Sequence, residues 1–231
     1  MPLTALFFDV GNTLMFPNRE RMLRPLHQRG VFPAKEMLQE IERQTKREFD
    51  VLEEGDSSVD HGFWQIYYSH LLDQLSIKLD RLSIKDEALC HELVTLTRNS
   101  ANWCDIRPGT RESLLRLGEK YRMAVISNAD GKIAEVLGRT GIADCFETIT
   151  DSGIVGKEKP HPAIFQAALS SMRVAPQESL YIGDVYSVDY LGATRVGMQS
   201  TLFDVVGAYE EKRVPRVESL DELESRLGNT I

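Results

Sequence analysis

Apolar positions along the chain follow two periodicities in turn. TALFFDV, near the N-terminus, is a short aromatic-rich run that stops at Gly11 and Asn12, so it reads as a buried strand rather than a helix. RMAVISN, CFETITD, SLYIGD and MQSTLFD read the same way. Between them GKIAEVLGRTG, HPAIFQAALSSM and SVDYLGATRVG carry helical patterns. Strand and helix therefore alternate through the second part of the chain, which predicts an α/β fold with a parallel sheet covered by helices on both faces.

From about Asn18 to Asn99 the pattern changes. Met37, Leu38, Ile41 and Phe49, then Phe63, Ile66, Tyr67 and Leu71, then Leu89, Leu93 and Leu96 recur at helical spacing, with no convincing strand among them. An all-helical insert between the first strand and the rest of the sheet accounts for this. Its joins fall near Met15 to Asn18 and Trp103 to Gly109, and Pro108 with Gly109 suits a hinge or linker. At the far end, Ser219 and Glu222 have capping-box spacing, so ESLDELESRL is expected to form a terminal helix.

Composition narrows the partners. With 231 residues, 42% of them hydrophobic, the chain can bury a full core as one large domain or a domain plus an insert. A net charge of -8 argues against nucleic acid and anionic lipid, leaving small metabolites and other proteins. Cys90, Cys104 and Cys145 show no metal-type spacing, which suggests reduced thiols in a cytoplasmic protein. The start MPLTALFFDV lacks the basic residues of a signal peptide, and no apolar run is long enough to cross a bilayer.

In open parallel sheets, ligands bind beyond the carboxyl ends of the strands. The polar residues expected there are Asp9, then Ser127 and Asn128, then Asp184 with Asp189 shortly after; Lys157 and Lys159 lie in the loop GKEKP. Three carboxylates gathered at one site repel each other and call for a cation. Oxygen donors alone favour Mg²⁺, which leaves room for a phosphate. A nearby lysine and hydroxyl suit phosphoryl oxygens, and a carboxylate so placed can attack phosphorus.

FFDVGNTL, VISN, KEKPHPAIF and YIGDVYSVDYLGA, in that order, resemble the four motifs of the haloacid dehalogenase superfamily, in its branch with a helical cap inserted after the first strand. The resemblance implies a Rossmann-like core from residues 1–15 and 104–231 and a cap at 16–103. Asp9 matches the family nucleophile, which forms an aspartyl-phosphate and ligates Mg²⁺, and Gly11 would lend its backbone carbonyl to the metal. Thr13 matches a threonine of the same turn, with a substrate-binding or a purely structural role. Ser127 matches the hydroxyl that binds the phosphoryl group, and Asn128 either orients the site or caps the following helix. Lys159 matches the lysine that neutralises charge, Lys157 being the lesser alternative. Asp184 and Asp189 match the metal-binding acids, with helix capping or ligation through water as alternatives for Asp189.

The insert is less readable. Phe63, Trp64, Tyr67 and Tyr68 form an aromatic patch for which core packing is the expected role, facing the substrate being the alternative. His27, His61 and His70 are proton donors only if they reach the cleft.

One position departs from the family. Its common phosphatase form has a second aspartate two residues after the nucleophile, where this chain has Gly11. Three readings follow. The first is a Mg²⁺-dependent phosphatase of a small phosphorylated metabolite, whose acid comes from elsewhere or whose leaving group needs none; Gly11→Asp would then raise turnover on poor leaving groups. The second, a haloacid dehalogenase proper, would have a bulky residue at position 11 and lack the leading acid of motif IV, and a phosphonatase would need a cap lysine, for which nothing singles out Lys35 or Lys46. The third is a catalytically weak or inactive binding or regulatory protein, supported by Gly11 alone. Retention of Asp9, Ser127, Lys159, Asp184 and Asp189 favours the first.

Overall fold

The structure, a computed structural model, describes residues 2–53, 62–78 and 87–228. Its strands are β1 (Ala5–Phe8), β2 (Met15–Pro17), β3 (Trp103–Ile106), β4 (Arg122–Ser127), β5 (Thr148–Asp151), β6 (Ser179–Gly183), β7 (Gln199–Phe203) and β8 (Arg216–Val217). Six of them form one sheet in the order β5-β4-β1-β6-β7-β8, with every neighbouring pair parallel. All four residues of β1 are buried, as a central strand covered on both faces requires. Leu6 and Phe8 pack with Val125, Leu137 and Ile182 on one face, while Ala5 and Phe7 pack with Ile126, Phe165 and Tyr181 on the other. The strand's period of two thus divides one apolar run between two cores.

Helices form largely where the apolar spacing places them: Ile133–Arg139, Pro162–Met172 and Leu220–Gly228. Thr110–Gly118 adds another after the turn at Gly109, whose φ of +82° suits glycine. SVDYLGATRVG begins not as an α-helix but as a π-helical turn, Tyr186–Tyr190, that runs into Leu191–Arg195.

Between β2 and β3 every described element is helical, chiefly Lys35–Glu53, Phe63–Lys78 and Glu87–Arg98. These helices bury a core of their own, including Leu26, Leu38, Ile41, Leu71 and Leu93. The joins are not free linkers. β2 and β3 pair antiparallel, Met15 opposite Ile106 and Phe16 opposite Asp105, so the two connections hold each other. Strands of three and four residues are too short for a periodicity reading to register. Among the described residues no helix is long and apolar enough to cross a membrane.

Candidate active site

β4, β1 and β6 lie side by side and parallel, so their carboxyl ends bring Ser127, Asp9 and Asp184 to one edge of the sheet. Asp9 is fixed there by its backbone N–H, which donates to the Ile182 carbonyl at 2.8 Å. Asp189 arrives on the π-helical turn. Asp9, Asp184 and Asp189, all buried, each offer a carboxylate oxygen within 4.8 Å of the others. Gly183 permits this approach, because a Cβ there would lie 2.5 Å from Asp189 Cγ. Asp189 Oδ2 also accepts from Val185 N at 3.0 Å, so the residue closes its own turn and keeps Oδ1 for the site.

Lys159 Nζ donates to Asp9 Oδ1 at 2.7 Å, to Asp189 Oδ1 at 2.8 Å and to the Tyr181 hydroxyl at 2.8 Å. It is buried, whereas Lys157 is exposed, so geometry separates the two lysines of the loop. Asn128 clamps the Lys159 backbone: Nδ2 donates to its carbonyl at 3.0 Å, and Oδ1 accepts from its N–H at 2.7 Å. Asn128 does not cap the next helix. Asp151 does that work, accepting from Gly131 N and Ile133 N.

Burial raises Asp9 to about 7, Lys159 pulling it down while Asp189 and Asp184 push it further up. Burial likewise raises Asp184 to about 6 against the pull of Lys46. Desolvation disfavours the Lys159 ammonium, but Asp189 and Asp9 outweigh it and hold the lysine above its usual range. The carboxylates are thus strained by one another and by their surroundings, as expected of a cluster suited to a cation. The donors are all oxygen, and the local bridge between Gly11 and Met15 uses Val10 O and Asn12 N, leaving the Gly11 carbonyl outside it. Such a donor set fits Mg²⁺.

Lys46 completes the cluster and was not singled out by sequence reasoning. Its Nζ lies 2.8 Å from Asp184 Oδ2 and 3.0 Å from Glu42 Oε1, with the side chain 1% exposed. Glu42, Lys46 and Asp50 share one face of helix Lys35–Glu53, and Asp50 Oδ1 accepts from Ser187 N at 3.0 Å. That face docks on the loop after β6. A row of charges at four-residue spacing ordinarily marks a solvated face, which hides the signal. Tyr181 was missed too; a tyrosine inside an otherwise apolar central strand was its only mark.

A cavity of about 260 Å³ opens over the cluster, lined by Asp9, Gly11, Ser127, Asn128, Lys159, Asp184 and Asp189 from the core. Phe63 and Trp64 from the insert and Trp103 from β3 face it as well. The aromatic patch therefore divides, since Tyr67 and Tyr68 belong to the helical core. Thr13 is buried with its hydroxyl unpaired and does not line the cavity. Neither do His27, stacked on Phe32, and His70, paired with Glu48 at 2.7 Å. His61 lies outside the described residues.

A family profile for haloacid dehalogenase-like hydrolases matches residues 3–197. The chain belongs to this family. Among curated relatives, a glyceraldehyde 3-phosphate phosphatase of Methanothermobacter thermautotrophicus is 29% identical over 87% of this chain and 85% of its own length. The haloacid dehalogenase-like hydrolase domain-containing protein 3 of Xenopus laevis is 37% identical over 50% of this chain. At that protein and at two Pyrococcus glyceraldehyde 3-phosphate phosphatases, the match spans less than half of the relative's length. The fold is shared with the magnesium-bound HAD-hydrolase YfnB from Bacillus subtilis, with a TM-score of 0.69 and 17% identity over 98% of this chain and 99% of that one. At position 11 of this haloacid dehalogenase-like site, a Cβ would lie 3.3 Å from the Trp103 ring.

Proposed function

We propose that the protein is a cytoplasmic Mg²⁺-dependent phosphatase of a small phosphorylated metabolite, working through an aspartyl-phosphate on Asp9. The reading is carried by the placement of the Asp9 carboxylate, buried at the floor of the cavity, 2.7 Å from the Lys159 ammonium and grouped with Asp184 and Asp189. Mg²⁺ held by Asp9, Asp184, Asp189 and the Gly11 carbonyl would neutralise phosphoryl charge. Asp9 attacks phosphorus with the carboxylate oxygen that Lys159 leaves free. Lys159 keeps its proton throughout and offsets the charge of the phosphoryl oxygens, while Ser127 donates a hydrogen bond to one of them. Asn128 positions Lys159 through its backbone. The names of several relatives, phosphatases of glyceraldehyde 3-phosphate, support a small phosphate monoester.

The test is a panel of phosphorylated metabolites assayed with Mg²⁺ and with EDTA, for the wild type and Asp9→Asn. Turnover is expected only with metal and with Asp9 intact, the substitution costing more than about 10³-fold. Undiminished turnover in Asp9→Asn would sink the covalent mechanism. Silence across the panel from a folded, metal-binding protein would favour a binding module.

A further inference from the structure

The space beside Gly11 is filled by a ring rather than an acid. Trp103 lies 3.3 Å from where a Gly11 Cβ would stand, and its Nε1 is anchored on the Thr97 carbonyl at 2.7 Å. Its ring meets Trp64 with centroids 5.6 Å apart, and Trp64 meets Phe63 edge-on at 5.0 Å. All three line the cavity over Asp9, and both indoles are only half-buried. Of the cavity's other acids, Asp130 accepts from Ser100 Oγ at 2.6 Å, while Glu158 stands 4.0 Å from Arg98 with its Oε2 buried and without a hydrogen-bond partner.

We infer that this aromatic wall is a leaving-group subsite, and that it selects phosphate monoesters whose departing oxygen is conjugated to a flat, apolar frame: aryl or enol phosphates. The inference rests on the phosphatase reading. As the bond from Asp9 to phosphorus forms, the bond from phosphorus to the leaving oxygen breaks and its electron pair stays on that oxygen. In an aryloxide or enolate the charge spreads into the frame, and the proton is taken afterwards from water. Delocalisation thus stands in for the acid that Gly11 lacks.

Trp64 and Trp103 are the chain's two tryptophans, so intrinsic fluorescence reads the wall directly. The full chain with Mg²⁺ is titrated with phenylphosphonate and methylphosphonate, which cannot turn over and so remove differences in leaving-group reactivity. Phenylphosphonate is expected to bind about tenfold more tightly, as two ring contacts allow. Trp103→Ala and Trp64→Ala should each cut that preference by about threefold or more, whereas Trp103→Phe should keep it. Should Trp103→Ala fail to fold, Trp64→Ala carries the test alone. Equal affinities in the wild type, or a preference that survives the alanine variants, would overturn the subsite. In parallel, ethyl phosphate turned over as well as phenyl phosphate would overturn the subsite and leave the phosphatase standing. No turnover of any monoester would overturn both.

Discussion

Lys159 and Lys46 bury their ammonium groups against different members of one carboxylate cluster and reach it from different parts of the chain. Lys159 belongs to the core: its backbone is clamped by Asn128, and its charge serves Asp9 and Asp189. Lys46 stands in the middle of the inserted helix Lys35–Glu53 and serves Asp184, sharing its charge with Glu42. Both satisfy the same demand, since buried carboxylates need buried counter-charge. The difference lies in what holds each lysine. Lys159 is tied to the sheet edge through Asn128, whereas Lys46 is carried on the inserted helix. Together with the Asp50 bond to Ser187, it makes the charge of the site part of what holds the insert to the core.

The comparison breaks if the two lysines prove interchangeable. Lys159→Met leaves two carboxylates without their cation, so turnover should fall by about 10²- to 10³-fold, as for the loss of a charge-stabilising donor. Chemical denaturation should show a loss of about 3–5 kcal/mol, the usual cost of breaking a buried pair. Lys46→Met should destabilise the fold similarly, because Asp184 loses its partner, yet lower turnover by no more than about tenfold, since it takes no charge from Asp9. Equal losses of turnover in the two variants would erase the distinction between a lysine of the chemistry and a lysine of the docking.

Titration sharpens the same point. In the metal-free protein burial raises Asp9 to about 7 and Asp184 to about 6, both above the ordinary carboxylate value of 3.8. The folded state therefore binds these protons more tightly than the unfolded chain, and their ionisation costs stability as pH rises from about 4 to about 7. A bound divalent cation favours the ionised carboxylates, so the stabilisation it provides grows over the same interval. The gain in Tm on adding Mg²⁺ should be larger at about pH 7.5 than at about pH 5, by roughly 5 °C. Equal gains at the two pH values would show that the carboxylates are already ionised in the metal-free protein.

How much of this was legible in the sequence follows the same division. The core half was readable because a parallel sheet presents its chemistry at strand ends. Asp9, Ser127, Asp184 and Asp189 stand at such ends or just beyond, and Lys159 meets Asp9 and Asp189 there. The insert half was not, because its contribution depends on which helix face docks. Glu42, Lys46 and Asp50 have the spacing of a solvated row until the loop after β6 covers them. Phe63, Trp64, Tyr67 and Tyr68 share one helical spacing, and only packing sends the first two to the cavity and the others to the helical core. The π-helical turn at Tyr186–Tyr190 has the apolar pattern of an α-helix, so the placement of Asp189 by its extra residue was invisible as well.

Gly11→Asp should produce the smallest effect, and the reason is steric. From the sequence, a carboxylate at position 11 is expected to restore the missing acid and speed poor leaving groups. In the structure its Cβ would press on the Trp103 ring at 3.3 Å, and that ring is anchored to Thr97 and packed against Trp64. The new side chain would also add negative charge beside Asp9, where burial and carboxylate neighbours already work against ionisation. Gly11→Asp alone should therefore change kcat/KM by less than about threefold for ethyl and phenyl phosphate alike, well below the 10²- to 10⁴-fold that a working acid supplies. Combined with Trp103→Ala, which vacates the space, it should raise turnover of ethyl phosphate toward the lower end of that range and gain less on phenyl phosphate, whose oxygen leaves unaided. A large gain from the single substitution would mean that the indole yields, and the aromatic wall would then be a movable cover rather than a fixed boundary of the site.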